Sequence, residues 1–468
     1  MFMGKRQKPH NYLFLFTLLT IVLSLLQGIS TVGAQSQIYD HPLPKLKDPN
    51  LRVEIVTDNL NVPTGFAFLD DDNILVLKRY TTTYYYPLGG LTTVNLISNG
   101  KLRQDPVLTV LSGLCDIHNP LPGCNKFNER GLLGIVLRKI NSTNMTLAGN
   151  LQVYLYYTEI TLTGQPLGNR VYEYLWDGRH LINPSLILDL PATPGPNHNA
   201  GKLLIGPDGY LYTVIGDQGY HRGQLQNLNG PPPDNTSVIL RVNPENGMPA
   251  YGNPFMTVSN EDNVNLTLSK STLSRYYAYG IRNSFGLAFD PVSGNLWDTE
   301  NGVNQYDEIN LVKPGFNSGW KPIVGPIERT NKTEAQLVHF PKSYYSDPEF
   351  SWKYSIGVTA LGFLNSSKLG EKYTNNLFVG DYNTGSLYFF KINKARDGIE
   401  FDSNQKELTD QVADNPKESY KTVLGTGFDI ITDIKTGPDG YLYIASYTEY
   451  SKQHPDNVSR IYRIVPAS

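Results

Sequence analysis

One heptapeptide occurs twice in this chain, letter for letter: Gly-Pro-Asp-Gly-Tyr-Leu-Tyr at 206–212 and again at 437–443. Pro presets φ and Gly accepts φ > 0, so Pro-Asp-Gly is a turn with a mechanism. Apolar residues flank both copies, so each reads as a β-hairpin, Lys202–Ile215 and Ile434–Ser446. Four looser relatives share the pattern of apolar run, turn and apolar run. They are Asn61–Phe68 with Ile74–Leu77, Glu129–Leu137 with Leu151–Tyr157, Gly286–Asp290 with Asn295–Glu300, and Ala360–Leu364 with Asn376–Asp381. Six hairpins over roughly 420 residues give a period of about 70, long for one four-stranded unit, so the excess falls in loops. Further strand-like runs lie between them: Asn169–Tyr174, Val238–Val242 and Ser386–Ile392. Repetition with Gly-rich turns signals a radial array, and we read an all-β, six-bladed β-propeller over residues 35–468. The last strand, Arg460–Ile464, is expected to pair near Arg52–Val56 and close the ring without a free edge. Two β-sandwiches would need a linker, and no segment has linker composition. A content of 42 Gly, 31 Pro and 31 Tyr with 18% charged residues suits a turn-rich β protein. The net charge of -3, without Lys/Arg blocks, argues against a nucleic-acid surface.

The N-terminus reads as a targeting segment. Lys5, Arg6 and Lys8 precede an apolar run from Tyr12 to Leu26, and Val32 and Ala34 suit the −3 and −1 positions of a cleavage site. We expect residues 1–34 to be a signal peptide and the body to be secreted or held at the cell surface. The alternative is an uncleaved anchor, which would be the one route to membrane attachment. Export makes a local disulfide between Cys115 and Cys124 the expected state of the only two cysteines. A metal site from both cysteines and His118 is the alternative, but it lacks a fourth ligand. Seven N-x-S/T sequons, at Asn141, Asn144, Asn235, Asn265, Asn331, Asn365 and Asn457, mark surface loops open to glycan attachment.

Hairpin strands run antiparallel, so residues just before the first strand and just after the second share one edge of a sheet. At the third hairpin that edge brings together Asn197-His198-Asn199 and Asp217-Gln218. A histidine beside a carboxylate can act as an acid–base pair. The bland alternative is a turn histidine bonded to its flanking Asn side chains. The equivalent edges of the other hairpins supply Glu129, Arg282-Asn283, Glu300-Asn301-Gly302 and Asp381-Tyr382-Asn383. This is a dense polar set for a chain so low in charge, and a ligand site at that end is the default expectation. Arg282 could instead pair with Asp290 or Glu300, and Asp307-Glu308 could cap a turn. The run Tyr84-Tyr85-Tyr86 reads as an exposed loop.

Four segments in order resemble the soluble glucose/sorbosone dehydrogenases. They are Glu129–Gly134, the Asn197–Asn199 hairpin with Gly216–Gly219, Gly280–Asp290, and Thr299–Leu311 leading to Gly315–Trp320. The resemblance covers Leu51 to Val465. It implies a six-bladed propeller that uses pyrroloquinoline quinone (PQQ) and calcium to oxidise an aldose. It further implies His198 as the base at the sugar C1 hydroxyl, Asp217 as its orienting partner, and Glu129 and Gln218 near the sugar. Arg282 and Asn283 would touch the cofactor. The carbonyls of Gly302 and Val303 would help hold the catalytic calcium, and Asp307, with Trp352, a second calcium. The electron acceptor is not implied. This chain departs from the family in carrying Val303 where proline is usual. The fifth loop, Asp381–Ser386, and the entry to the sixth hairpin, Phe428–Asp433, carry no cation for the PQQ carboxylates. Lys353 and Lys421 are the candidates to replace them. Two other functions fit the same sequence: a noncatalytic propeller binding glycans or proteins, and a calcium-dependent hydrolase of the lactonase type.

Overall fold

A computed structural model describes residues 41–79, 90–112, 129–140, 151–162, 164–219, 226–227, 233–256, 270–448 and 458–467. The structure is nearly all β. The six expected hairpins all form. Their first strands are β1 (Pro63–Phe68), β2 (Leu132–Lys139), β3 (Leu203–Ile205), β4 (Gly286–Phe289), β5 (Val358–Phe363) and β6 (Ile430–Thr436). Each pairs antiparallel with the strand that follows it. The three intervening runs are the next strands outward, as Pro166–Trp176, Val238–Val242 and Ser386–Ile392. The strand Leu51–Thr57 pairs antiparallel with Ser459–Pro466, so the two ends of the described fold share a sheet.

The repeated heptapeptide builds the same device twice. Gly209 and Gly440 both take positive φ, at 79° and 82°, where a side chain is disfavoured. In the third hairpin Asp208 Oδ1 accepts the Tyr210 N–H, while Oδ2 accepts the Tyr212 hydroxyl at 2.8 Å. In the sixth, Asp439 does the same for Tyr441 and Tyr443. An arginine from the third strand completes each clamp: Arg241 bonds Asp208 at 2.8 Å and Arg463 bonds Asp439 at 3.0 Å. Each guanidinium also lies over its turn's tyrosine, at 4.3 Å from the Tyr210 centroid and 5.5 Å from that of Tyr441.

Packing explains why the second strands read as unbroken apolar runs. Along Asn73–Lys78 successive side chains point to opposite faces. Ile74 and Val76 pack with Tyr443, Ala445 and Ile461. Leu75 and Leu77 pack with Leu132, Val153 and Leu155. Both faces are buried, so no polar alternation survives. Five clusters besides that first one repeat the arrangement between successive hairpin sheets. The first strands neighbour one another in chain order, β1 to β6, and β6 returns to β1. Threonine hydroxyls tie neighbours together: Thr64 to the Leu132 carbonyl at 2.6 Å, Thr432 to that of Pro63 at 2.7 Å, and Thr359 to that of Ile431. The Lys202 ammonium, entering β3, meets Asp433 on β6, and both residues are buried.

The targeting segment, Cys115 and Cys124 with His118, Tyr84–Tyr86 and the sequons at Asn141, Asn144, Asn265 and Asn457 lie outside the described residues. Asn331 and Asn365 are exposed and Asn235 is half-buried. Among the described residues no helix is long and apolar enough to cross a membrane.

Candidate active site

The third hairpin ladder continues past β3, with the Gly201 N–H on the Val214 carbonyl at 3.0 Å. This sets His198 beside Asp217. The approach is tight: a side chain at Gly216 would meet the Arg282 and His198 carbonyls at 2.5 and 2.6 Å. Three non-glycine residues around the pair hold left-handed φ values: His198 at 61°, Ala200 at 50° and Gln218 at 55°. Such residues cost about 1–3 kcal/mol each and cluster at functional sites.

Asp217 is fully buried. Its Oδ1 meets His198 Nδ1 at 2.5 Å and accepts the Gly219 N–H at 2.9 Å. Its Oδ2 accepts the indole N–H of Trp320 at 2.8 Å. A carboxylate accepts only, so Nδ1 carries a proton, and in the neutral imidazole Nε2 is then the nitrogen with the lone pair. Glu129 Oε2 accepts the backbone N–H of His198 at 2.5 Å and the amide of Asn283 at 3.2 Å. Gln218 donates to the His198 carbonyl at 3.0 Å. Glu129, His198, Asp217, Gln218 and Asn283 thus form one connected group, drawn from the second, third and fourth hairpins.

Arg282 joins this group to the fourth hairpin. Asp290 is taken by Arg396 at 2.6 Å, so it is not the partner of Arg282. Glu300 accepts only the backbone N–H of Arg282, at 2.6 Å, and the Ser318 hydroxyl at 2.5 Å. The guanidinium itself donates to the Asn301 carbonyl at 2.9 Å and lies 5.4 Å from the Trp320 ring centroid. Burial, with the charge of Asp217 nearby, pushes Glu300 up to about 7. Trp320 and Ser318 close the Gly315–Trp320 motif, but nothing in the sequence assigned either to this pair of acids.

The Gly302–Asp307 turn lies one residue beyond Asn301. A side chain at Gly302 would strike the carbonyls of Gln305 and Tyr306 at 1.9 and 2.7 Å, so backbone oxygens crowd there. Calcium takes carbonyl oxygens readily, but the two that crowd Gly302 are not the Gly302 and Val303 carbonyls implied for it. Val303 is 42% exposed. Asp307 faces inward, its oxygens accepting the N–H groups of Gly302 at 2.9 Å, Gly357 at 2.6 Å and Val358 at 3.4 Å. It therefore ties the turn to the loop before β5. Trp352 lies opposite it in the sheet. No cluster of three or more His, Cys, Asp or Glu side chains suited to a metal occurs among the described residues.

The donor set fits a polyol better than a tricarboxylate. Asn197 Oδ1, Asn283 Oδ1 and Asn301 Oδ1 are buried acceptors with no hydrogen-bond partner among the described residues, and sugar hydroxyls are donors. Lys421 pairs with Glu407 at 2.5 Å and Lys353 with Asp414 at 3.4 Å. Neither replaces the cations missing from the fifth and sixth loops. Among the described residues, the fifth and sixth loops thus supply no cation for the carboxylates of PQQ, while His198 and Asp217 supply a proton-accepting pair.

Comparison with known proteins places the chain. The Glucose / Sorbosone dehydrogenase family matches residues 60–453. The aldose sugar dehydrogenase of Escherichia coli is 25% identical over 84% of this chain and 89% of its own. Quinoprotein glucose dehydrogenase B of Acinetobacter calcoaceticus is 29% identical over 65% of this chain and 60% of its own. The crystal structure of a glucose dehydrogenase-type oxidoreductase from Thermus thermophilus superposes with a TM-score of 0.60, at 25% identity, over 89% of this chain and 100% of that one. The PQQ-bound aldose sugar dehydrogenase of Streptomyces coelicolor gives 0.55 at 20% identity, over 90% and 99%. The chain belongs to the glucose/sorbosone dehydrogenase family.

Proposed function

We propose that this protein is an exported six-bladed β-propeller that oxidises an aldose at its C1 hydroxyl. The observation that carries the reading is the His198 Nδ1–Asp217 Oδ1 contact at 2.5 Å, held at the polar end of the third hairpin. Asp217 fixes the tautomer, so Nε2 takes the hydroxyl proton as the C1 hydride leaves for a two-electron acceptor. The products are a lactone, the reduced acceptor and a protonated His198. Glu129, which also fixes the histidine backbone, and Gln218 would lie near the sugar. Arg282 and Asn283 would face PQQ, and the Gly302 and Val303 carbonyls would face calcium. Bound there, PQQ supplies an electrophilic quinone that calcium polarises.

The cation-free fifth and sixth loops favour a second reading, in which the same end holds a sugar without oxidising it. One assay separates them. Purified protein is given Ca²⁺, PQQ and a panel of aldoses, with a redox dye as final acceptor and sugar binding followed by calorimetry. Dye reduction dependent on sugar supports the dehydrogenase. Sugar binding without dye reduction, at any PQQ concentration tried, sinks it and leaves the binding protein.

A further inference from the structure

We infer that Trp320 is the positioning residue of the His198–Asp217 pair; the inference rests on the reading of His198 as the base. Asp217 has two oxygens with separate duties. Oδ1 serves His198 and the Gly219 N–H, and Oδ2 serves the Trp320 indole at 2.8 Å. With both oxygens held, the carboxylate cannot rotate, and the imidazole plane is fixed through it.

Trp320 is itself held in place through its backbone and its ring. Its backbone N–H bonds the Gly280 carbonyl at 3.1 Å. Its ring is 3% exposed and lies under the Arg282 guanidinium. Gly280 lets the segment come close, since a side chain there would meet Asn317 Oδ1 at 2.4 Å and the Gly319 nitrogen at 3.2 Å. One side chain therefore bonds the orienting acid through its N–H and carries the Arg282 guanidinium over its ring.

The chemistry of the bond gives it a direction. An indole N–H is a donor only, so it stabilises the charged carboxylate and weakens its pull on the imidazole proton. Without that donor Oδ2 loses a hydrogen bond that stabilises its charge, the carboxylate pulls harder, and the imidazolium form of His198 is favoured. Among the described residues, Glu129, Arg282 and Glu300 are charged groups set about the pair and its partners. Trp320→Phe alters none of these three residues, keeps an aromatic face for Arg282 and loses the N–H.

Histidine-selective ¹⁵N NMR tests this without any turnover, His198 being identified by the resonance missing from His198→Ala. In Trp320→Phe the titration of His198 should move to higher pH by roughly half a unit or more, and the Nδ1 proton signal should move downfield. In the dye assay kcat should fall about tenfold while sugar KM changes less than about twofold. A folded Trp320→Phe protein with unchanged His198 titration and Nδ1 proton overturns the role. If the titration moves but neither protein oxidises any sugar, the positioning stands and the dehydrogenase reading falls. If Trp320→Phe does not fold, the indole N–H signals of wild type and Asp217→Asn decide. A signal among the four tryptophans that moves upfield in Asp217→Asn supports the bond, and four coincident signals overturn it.

Discussion

The third and sixth hairpins share seven consecutive residues, one turn and one Asp–Tyr–Arg clamp, but their opposite ends do different things. At the turn end Asp208 and Asp439 bond equivalent partners at equivalent distances. At the other end the third hairpin carries His198 and Asp217, held by Glu129 and Trp320. The sixth carries Ile430, Ile431 and Thr432, whose hydroxyl bonds the backbone carbonyls of Pro63 and Ala445. The comparison teaches that the repeat encodes a sheet and its turn, while chemistry is placed on ends that the repeat leaves free. Lys202–Asp433 is where the two hairpins meet directly.

If that division is right, substitutions at the two ends should fail in different assays. The largest effect is expected at His198. His198→Ala should lower sugar oxidation by about 10²- to 10⁴-fold, the usual contribution of a positioned base, with the melting temperature within a few degrees. Asp217→Asn should cost less than His198→Ala, since it disturbs orientation and tautomer only. A His198→Ala protein as active as wild type would remove the proposed base.

Next comes Asp433→Ala, expected to destabilise by about 3 kcal/mol because it strands the buried Lys202 and the neighbouring Lys435. Burial alone would raise the Asp433 carboxyl, but the two lysines overcome this and hold it below its usual range. A lowered carboxyl adds stability above its unfolded pKa and loses it as pH falls through the folded one. Urea melts should therefore show the wild type's advantage over Asp433→Asn shrinking below about pH 4. An advantage constant from pH 3 to 7 would contradict the pairing.

The smallest effect sharpens the comparison within the turns. Gly209 has nothing within 4 Å of a would-be side chain, whereas at Gly440 Ser366 Oγ lies 2.6 Å away. Gly209→Ala should cost about 1 kcal/mol for its positive φ alone, and Gly440→Ala roughly 2. Equal costs in denaturant would mean that the neighbour yields freely. Neither change should alter sugar oxidation.

Much of this was legible in the chain. Pro-Asp-Gly turns and runs such as Ile74–Leu77 named all six hairpins, because turn chemistry and burial on both faces act over a few residues. The flanks named His198, Asp217, Glu129, Gln218, Arg282 and Asn283, because antiparallel pairing fixes which residues share an edge. Trp320 was not legible as the partner of Asp217. The two lie 103 positions apart, and an indole in an apolar motif looks like core. The fate of Lys353 and Lys421 was equally hidden, since long flexible side chains are directed by whichever acid the fold brings near, here Asp414 and Glu407.

By itself, then, the sequence determined the repeating hairpins, their turns, and the edge where polar residues gather. Those properties depend on φ preferences and on a period of two, which are local. Only the tertiary structure decided that Asp290 belongs to Arg396 rather than Arg282, that Asp307 faces the backbone of its own turn and the next loop, and that Lys202 reaches Asp433, 231 positions away. Those pairings depend on which sheets lie side by side, and side-chain polar groups take the nearest satisfying partner after burial has fixed the backbone.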